Sequence, residues 1–493
     1  MKNKSNFFAN ALLVTICSFL AFAFIYLILV VSNDELWNFQ NIYKMINGYT
    51  IYNDSNVIIT PIFFYLGSIF FELFSANFIV FRFYNVILTI ILFIILYKIL
   101  KNLNLSKNLI APYLSLLFLL LFQSLVAGAN YNTLGCIFIL IGINLYITKK
   151  STNLKQGILI FLVFFTKQNT GIFYALSVLI YELLNNKFNK KYIFDQIKKF
   201  IFFIIPTSLV IASMYFNGNL NGFISYCFGG LFEFGGSNLV FTAAPFYYAL
   251  PISTIGIYIF TMIKKDTIFK TFKDDFFDTL KLLFILALVN TFTVYPIFNS
   301  SHFIYVFPYH LIFIFYYLDT LILKEIFEDK KFYLYGKIFA IIILTLLSIR
   351  TLIYFFYDYD MISKYRSRNT PFDNLYSYTD TMIKTNDLKQ YINEQEKNGI
   401  TVLICSHDAA FPMIELKKSN GVYDLLFNGN LGYKGKEKIY SDINNLKNTE
   451  FLVVTDPIDI FVQEPAEIRD YIMNNLEYKG KIHNYSIYST QID

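Results

Sequence analysis

Two carboxylates, Asp34 and Glu35, stand side by side in "VVSNDELWNFQNIYKMINGYTIYNDSN", directly after the first long apolar run. A carboxylate there can act as a general base and accept a proton from a hydroxyl. It can equally mark the end of a membrane span. Adjacent helical residues point about 100° apart, so the two need not share a role. Lys167 sits in "FFTKQNTGIF", followed by Gln168 and Asn169. It reads either as a cationic contact for a phosphate or as a cation snorkelling between apolar helices. His302, in "YPIFNSSHFIYVFPY", could meet a phosphate or a metal, or rest at an interface. His310 lies deeper in the same segment and can be structural, and His407 in "CSHDA" reads as a turn after a strand. Arg82 opens an apolar run, as a headgroup anchor or a group reaching the outer surface. Asn130 and Asn132 can hydrogen-bond a sugar, a headgroup or a turn. For a metal the candidate ligands are Asp34, Glu35 and His302, which is weak support. The sequence requires no cofactor, and a divalent ion stays an open option. Four cysteines, Cys17, Cys136, Cys227 and Cys405, form no CxxC pair and imply no disulfide framework.

The elements that must position these groups are apolar. Of 493 residues, 56% are hydrophobic and 15% are charged, against about 25% charged in soluble proteins. Apolar runs recur as far as Tyr357, and each can cross a hydrocarbon core roughly 30 Å thick. The composition implies a polytopic α-helical membrane protein. The net charge of +6 includes no basic tract suited to nucleic acid. Lysine-rich loops at 98–107, 149–155, 187–199, 264–281 and 324–337 belong on the cytoplasmic side. The runs 7–31, 78–100, 109–129, 133–148, 156–166, 170–184, 200–216, 246–263, 280–298, 303–322 and 334–357 then give about eleven spans of the usual length. The first reads as an uncleaved signal anchor with a cytoplasmic N-terminus, which leaves the tail outside. "TPIFFYLGSIFFELF" (60–74) reads as an interfacial or re-entrant helix on the outer face. A lysine in mid-membrane costs about 2.5–3.5 kcal/mol on insertion scales, so a break is expected at 166–169. Asp34, Glu35, "NYN" (130–132), "KQN" (167–169), the loop 217–245 and "NSSH" (299–302) all fall on the outer side.

Charges rise beyond Asp358. "ITVLICS" (400–406) and "EFLVVTD" (450–456) read as buried strands, with helices at 409–418 and 464–476. The expected organisation is a transmembrane domain at 1–357, a linker at 358–394 and a small α/β domain at 395–493. "GNLGYKG" (429–435) reads as a surface turn or, less readily, a phosphate-cradling loop.

The order of these pieces resembles the GT-C superfamily of membrane glycosyltransferases. "NDELWNFQNIYKMINGYTIYND" looks like that family's first outer loop, with an acidic pair, a short helix and then Gly-Tyr. "TPIFFYLGSIFFELFSANFIVFRFYNVI" resembles the next family segment, in which a proline opens a juxtamembrane helix and an arginine opens the following span. "FTKQNTGIF" and "NSSHFIYVFPY" are similar to later family segments. Many relatives carry an acidic residue in the second outer loop, where this chain has "ANYNTLG". The resemblance implies about eleven membrane helices with outer juxtamembrane helices and an extracytoplasmic tail. It implies a sugar carried on a polyprenyl phosphate and transferred with inversion to an envelope glycan, lipid or protein. Asp34 would be the base, with Glu35 beside it. Lys167, Arg82 and His302 would contact the donor phosphate. Tyr49, Asn130, Asn132, Gln168 and Asn169 would bind substrate. The readings that compete are a lipid-linked saccharide flippase, a non-catalytic scaffold and a polysaccharide polymerase.

Overall fold

The computed structural model describes residues 33–320 and 370–490, apart from gaps at 127, 187, 231–234, 236–238, 266–273, 373–378, 407–408, 424–425, 428 and 458–463. The expected signal anchor, the last span at 334–357, the first part of the expected linker and His407 lie outside the described residues.

In chain order the helices are α1 (Asn33–Ile46), α2 (Ile62–Phe74), α3 (Phe78–Asn102), α4 (Lys107–Val126), α5 (Tyr131–Ile147), α6 (Asn153–Thr166), α7 (Gln168–Asn186) and α8 (Lys190–Phe216). A short α9 (Leu220–Ile224) runs into a π-helical turn, Ser225–Gly229. Strand β1 (Val240–Phe241), α10 (Pro245–Ile263), α11 (Asp274–Thr291), β2 (Ile297–Phe298), α12 (Ser300–Phe303) and α13 (Phe307–Leu318) follow. The tail adds α14 (Thr379–Lys397), β3 (Thr401–Cys405), α15 (Ala410–Leu416), α16 (Gly435–Asn445), β4 (Thr449–Val454), α17 (Ala466–Asn475), β5 (Glu477–Ile482) and β6 (Tyr485–Ser489).

Among the described residues, four helices are long and apolar enough to cross a membrane: Phe78–Asn102, Lys190–Phe216, Asp275–Val294 and Ser300–Leu318. Shorter apolar helices include Tyr131–Ile147, Asn153–Thr166 and Tyr247–Ile263. The break expected at 166–169 is a single residue: Lys167 adopts an extended backbone between α6 and α7.

The chain forms two compact units. The first comprises Met1–Ile25, Phe83–Val210 and Leu239–Tyr357. Its described part is helical. Helices α6 and α7 form a tight pair in which Gly171 rests on the Phe164 backbone, so a side chain there has no room. Buried polar ties cross the helices. His310 bridges Thr254 of α10 (2.9 Å) and Thr291 of α11 (2.8 Å). Glu182 accepts from Tyr146 (2.6 Å), Gln196 (2.8 Å) and Lys199, joining α5, α7 and α8. Such pairing is what buried polar groups require in an apolar surround.

The second unit comprises Tyr26–Arg82, Ile211–Asn238 and Asp358–Asp493. Helix α1 packs on α2, where Gly67 receives the Ile42 side chain. Phe39 of α1 anchors an aromatic cluster with Phe71, Phe78, Phe81 and Phe372. The tail builds a four-stranded sheet in the order β3-β4-β6-β5. β3 and β4 are parallel, with Leu403 opposite Phe451, and the other pairs are antiparallel. Alternate residues of β4 feed two cores, as the strand period requires. Leu452 and Val454 join Leu388, Ile392, Met413 and Tyr485 on one face. Phe451 and Val453 join Ile439, Ile443, Ile468 and Ile472 on the other. The sheet is therefore covered by α14 and α15 on one side and by α16 and α17 on the other.

Candidate functional site

The residues singled out in the sequence fall into two groups, one in each compact unit.

In the second unit, α1 begins with Asp34 and Glu35 in its first turn. The positive end of a helix dipole favours negative charge at that place. One helical step separates their surroundings. Asp34 is exposed, whereas Glu35 is 1% exposed. Glu35 meets Arg82, itself 4% exposed, in a two-pronged pair: Nε to Oε1 at 2.9 Å and Nη2 to Oε2 at 3.1 Å. The Arg82 guanidinium also lies 4.9 Å from the centre of the Phe78 ring. Burial pushes the Glu35 carboxyl above the usual carboxylate range, and the charge and hydrogen bonds of Arg82 pull it back. Arg82 thus has a carboxylate partner that sequence reading did not assign to it. Tyr49, beyond α1, is half-buried, and its hydroxyl reaches the Lys417 carbonyl at 3.4 Å.

In the first unit, Lys167 occupies the corner between α6 and α7. Its Nζ donates to Asn132 Oδ1 at 2.8 Å and lies 5.4 Å from the centre of the Tyr131 ring. Asn132 therefore orients the lysine, and Asn130 caps α5, accepting from the Asn132 N–H at 2.7 Å. Gln168 is buried. Asn169 donates to the Tyr295 carbonyl at 3.1 Å and the Thr293 carbonyl at 3.3 Å, tying α7 to the loop after α11. His302 lies in α12, within electrostatic reach of Lys167.

Sequence reading missed Asn299. Its Oδ1 accepts from the His302 backbone N–H at 3.0 Å and sits 2.7 Å from His302 Nδ1. An oxygen that already accepts from the backbone can only accept from the ring, so Nδ1 carries the proton and neutral His302 presents a lone pair at Nε2. The signal was present in "NSSH", an asparagine cap three residues before the histidine. Among the described residues, no cluster of three or more His, Cys, Asp or Glu side chains is placed to hold a metal ion.

No protein-family model and no curated protein matches the sequence. Solved structures do. The chain superposes on the crystal structure of ArnT from Cupriavidus metallidurans in the apo state with a TM-score of 0.56 at 10% identity, covering 97% of each chain. For ArnT from the same organism bound to undecaprenyl phosphate, the TM-score is 0.53 at 11% identity, again over 97% of each chain. The chain shares the fold of these structures over nearly its whole length.

Proposed function

We propose that this chain is an integral-membrane glycosyltransferase that moves a sugar from a polyprenyl phosphate to a cell-envelope acceptor on the outer face. The observation that carries the reading is the near-complete structural match to ArnT, a lipid A aminoarabinose transferase, including a form holding undecaprenyl phosphate. Support also comes from an exposed carboxylate, Asp34, at the start of a helix that a buried ion pair fixes in place.

In the proposed reaction, Asp34 takes the proton of an acceptor hydroxyl. The oxygen attacks the anomeric carbon, the bond from that carbon to the phosphate oxygen breaks, and the lipid phosphate leaves with the electron pair. Attack opposite the leaving group inverts the anomeric centre. Lys167, oriented by Asn132, is assigned to the phosphate, where a fixed ammonium stabilises the charge of the leaving group. His302, within electrostatic reach of Lys167, is proposed as a second group facing the phosphate region. Glu35 and Arg82 hold α1 and are assigned a supporting part. The proposed topology has about eleven spans of ordinary length, the N-terminus in the cytoplasm and the 395–493 region outside.

The deciding experiment is transfer by purified full-length protein in detergent, with a panel of undecaprenyl-phosphate sugars as donors. Wild type is compared with Asp34→Asn. Consumption of a donor by wild type and its loss in Asp34→Asn support the reading. Equal turnover by both proteins removes Asp34 from the mechanism.

A further inference from the structure

We propose that the C-terminal region is a positioning element for the loop and helix that carry Asp34. The segment 417–433 grips two stretches that lie far apart in sequence, 49–57 and 225–230, and helps to hold them as one body. The inference rests on the reading of Asp34 as a base and extends it to the tail.

The loop between α1 and α2 has no regular structure, yet it is buried: Ser55, Asn56, Val57 and Thr60 are each 3% exposed or less. Its irregular backbone includes Tyr52 at φ 71°. A buried irregular loop needs partners for its carbonyls, and the tail supplies some of them. The Asp54 carbonyl accepts from Ser419 Oγ at 3.0 Å and from Lys44 Nζ at 3.1 Å. Lys44 lies in the last turn of α1, whose first turn carries Asp34. A residue of the tail and a residue of the carboxylate helix therefore meet on one oxygen. Asn56 Nδ2 adds a bond to the Val422 carbonyl at 3.1 Å.

The grip is anchored. Asn420, fully buried, donates to the Ile404 carbonyl at 2.6 Å and accepts from the Ile404 N–H at 2.9 Å. Its side chain thus stands in for a neighbouring strand at the edge of β3 and ties 417–422 to the sheet.

"GNLGYKG" forms the second arm. The Tyr433 N–H donates to Ser225 Oγ at 2.7 Å. Gly432 has φ 76°, and a Cβ there would sit 2.7 Å from the same Oγ. A Cβ on Gly230 would sit 2.6 Å from the Gly429 carbonyl oxygen. The glycines allow two loops to touch backbone to backbone, which accounts for their spacing without a phosphate. The two gripped stretches are also tied to each other. Cys227 Sγ approaches the Val57 carbonyl at 3.8 Å, and Asn219, which precedes the second stretch, donates to the Ile51 carbonyl at 3.3 Å.

The test uses the full chain with the double substitution Ser419→Ala and Asn56→Ala, neither residue having a part in the proposed chemistry. Ser419→Thr, which keeps the hydroxyl, is the conservative control. Hydrogen exchange is followed at the amides of Thr50, Asn53 and Asp54, which are bonded within the loop, and of Tyr49, which is bonded to the Lys44 carbonyl at the end of α1. Exchange there should quicken about tenfold in the double variant, while the amides of β3, β4 and β6 keep their protection. Transfer should show kcat down about tenfold with KM for the lipid donor changed less than about twofold, because a displaced base affects chemistry more than binding. Ser419→Thr should leave both near the wild-type values. Unchanged exchange in the loop overturns the proposal, as does loss of protection throughout the sheet. If loop exchange quickens but wild type transfers no sugar from any donor, the grip stands and the assignment of Asp34 fails.

Discussion

Asp34 and Glu35 are neighbours, yet a turn of about 100° leaves one exposed and buries the other against Arg82. Their substitutions should therefore fail differently. Asp34→Asn should cut transfer about 10²–10⁴-fold, the usual contribution of a general base. Glu35→Gln removes the carboxylate charge that pairs with the buried Arg82 guanidinium. It should destabilise the protein by about 3–5 kcal/mol, read as a lower midpoint of denaturation in detergent. Replacing both partners, as Glu35→Leu with Arg82→Leu, removes the buried cation with its carboxylate and should recover much of that loss. If the double variant is as unstable as Glu35→Gln, the pair does not act as a unit. The sequence made the acid pair conspicuous but could not say which member faces solvent, because the deciding partner lies 47 residues away.

Helix ends set the positions of the polar groups in the first unit. Lys167 is held at its corner by the closeness of α6 and α7, and that closeness depends on Gly171. Gly171→Ala places a methyl against the Phe164 backbone, which cannot turn aside as a side chain could. The pair should open at a cost of about 1–3 kcal/mol, with weaker binding of undecaprenyl phosphate by calorimetry. Unaltered binding and stability would mean that the corner does not depend on this contact. Lys167→Ala should weaken the same binding about tenfold or more, since hydrogen bonds to charged groups contribute roughly 1.5–3 kcal/mol. The break at Lys167 was legible because a lysine is costly inside an apolar run. Strands β3 and β4 were legible as short apolar runs. The hairpin of β5 and β6 was not, because β5 reads "EYKGKI", mostly exposed, and the wholly buried β6 reads "YSIYS". Helix α16 was hidden as well: it starts after Lys434 in a left-handed conformation, without a capping side chain to announce it.

At the scale of the molecule, hydropathy and lysine placement were legible, because both are sums over the chain. The second compact unit was not. It joins three stretches, and the bond from Tyr49 to Lys417 spans 368 residues. Pattern along a sequence does not carry contacts at that range. Sidedness is proposed from charge alone. If the lysine-rich loops are cytoplasmic and the spans are odd in number, the stretch 187–199 and the sheet of the tail lie on opposite sides of the membrane. Two exposed lysines suit a test, Lys191 at the start of α8 and Lys479 in β5. Of the native cysteines among the described residues, Cys136 and Cys227 are buried and Cys405 is half-buried, so labelling is judged against the parent chain. In intact cells a membrane-impermeant maleimide should modify Lys479→Cys and spare Lys191→Cys, which should react only after permeabilisation. The reverse pattern would place the tail in the cytoplasm. Labelling of both positions in intact cells would mean an even number of spans between them and would remove the charge argument for an outward-facing Asp34.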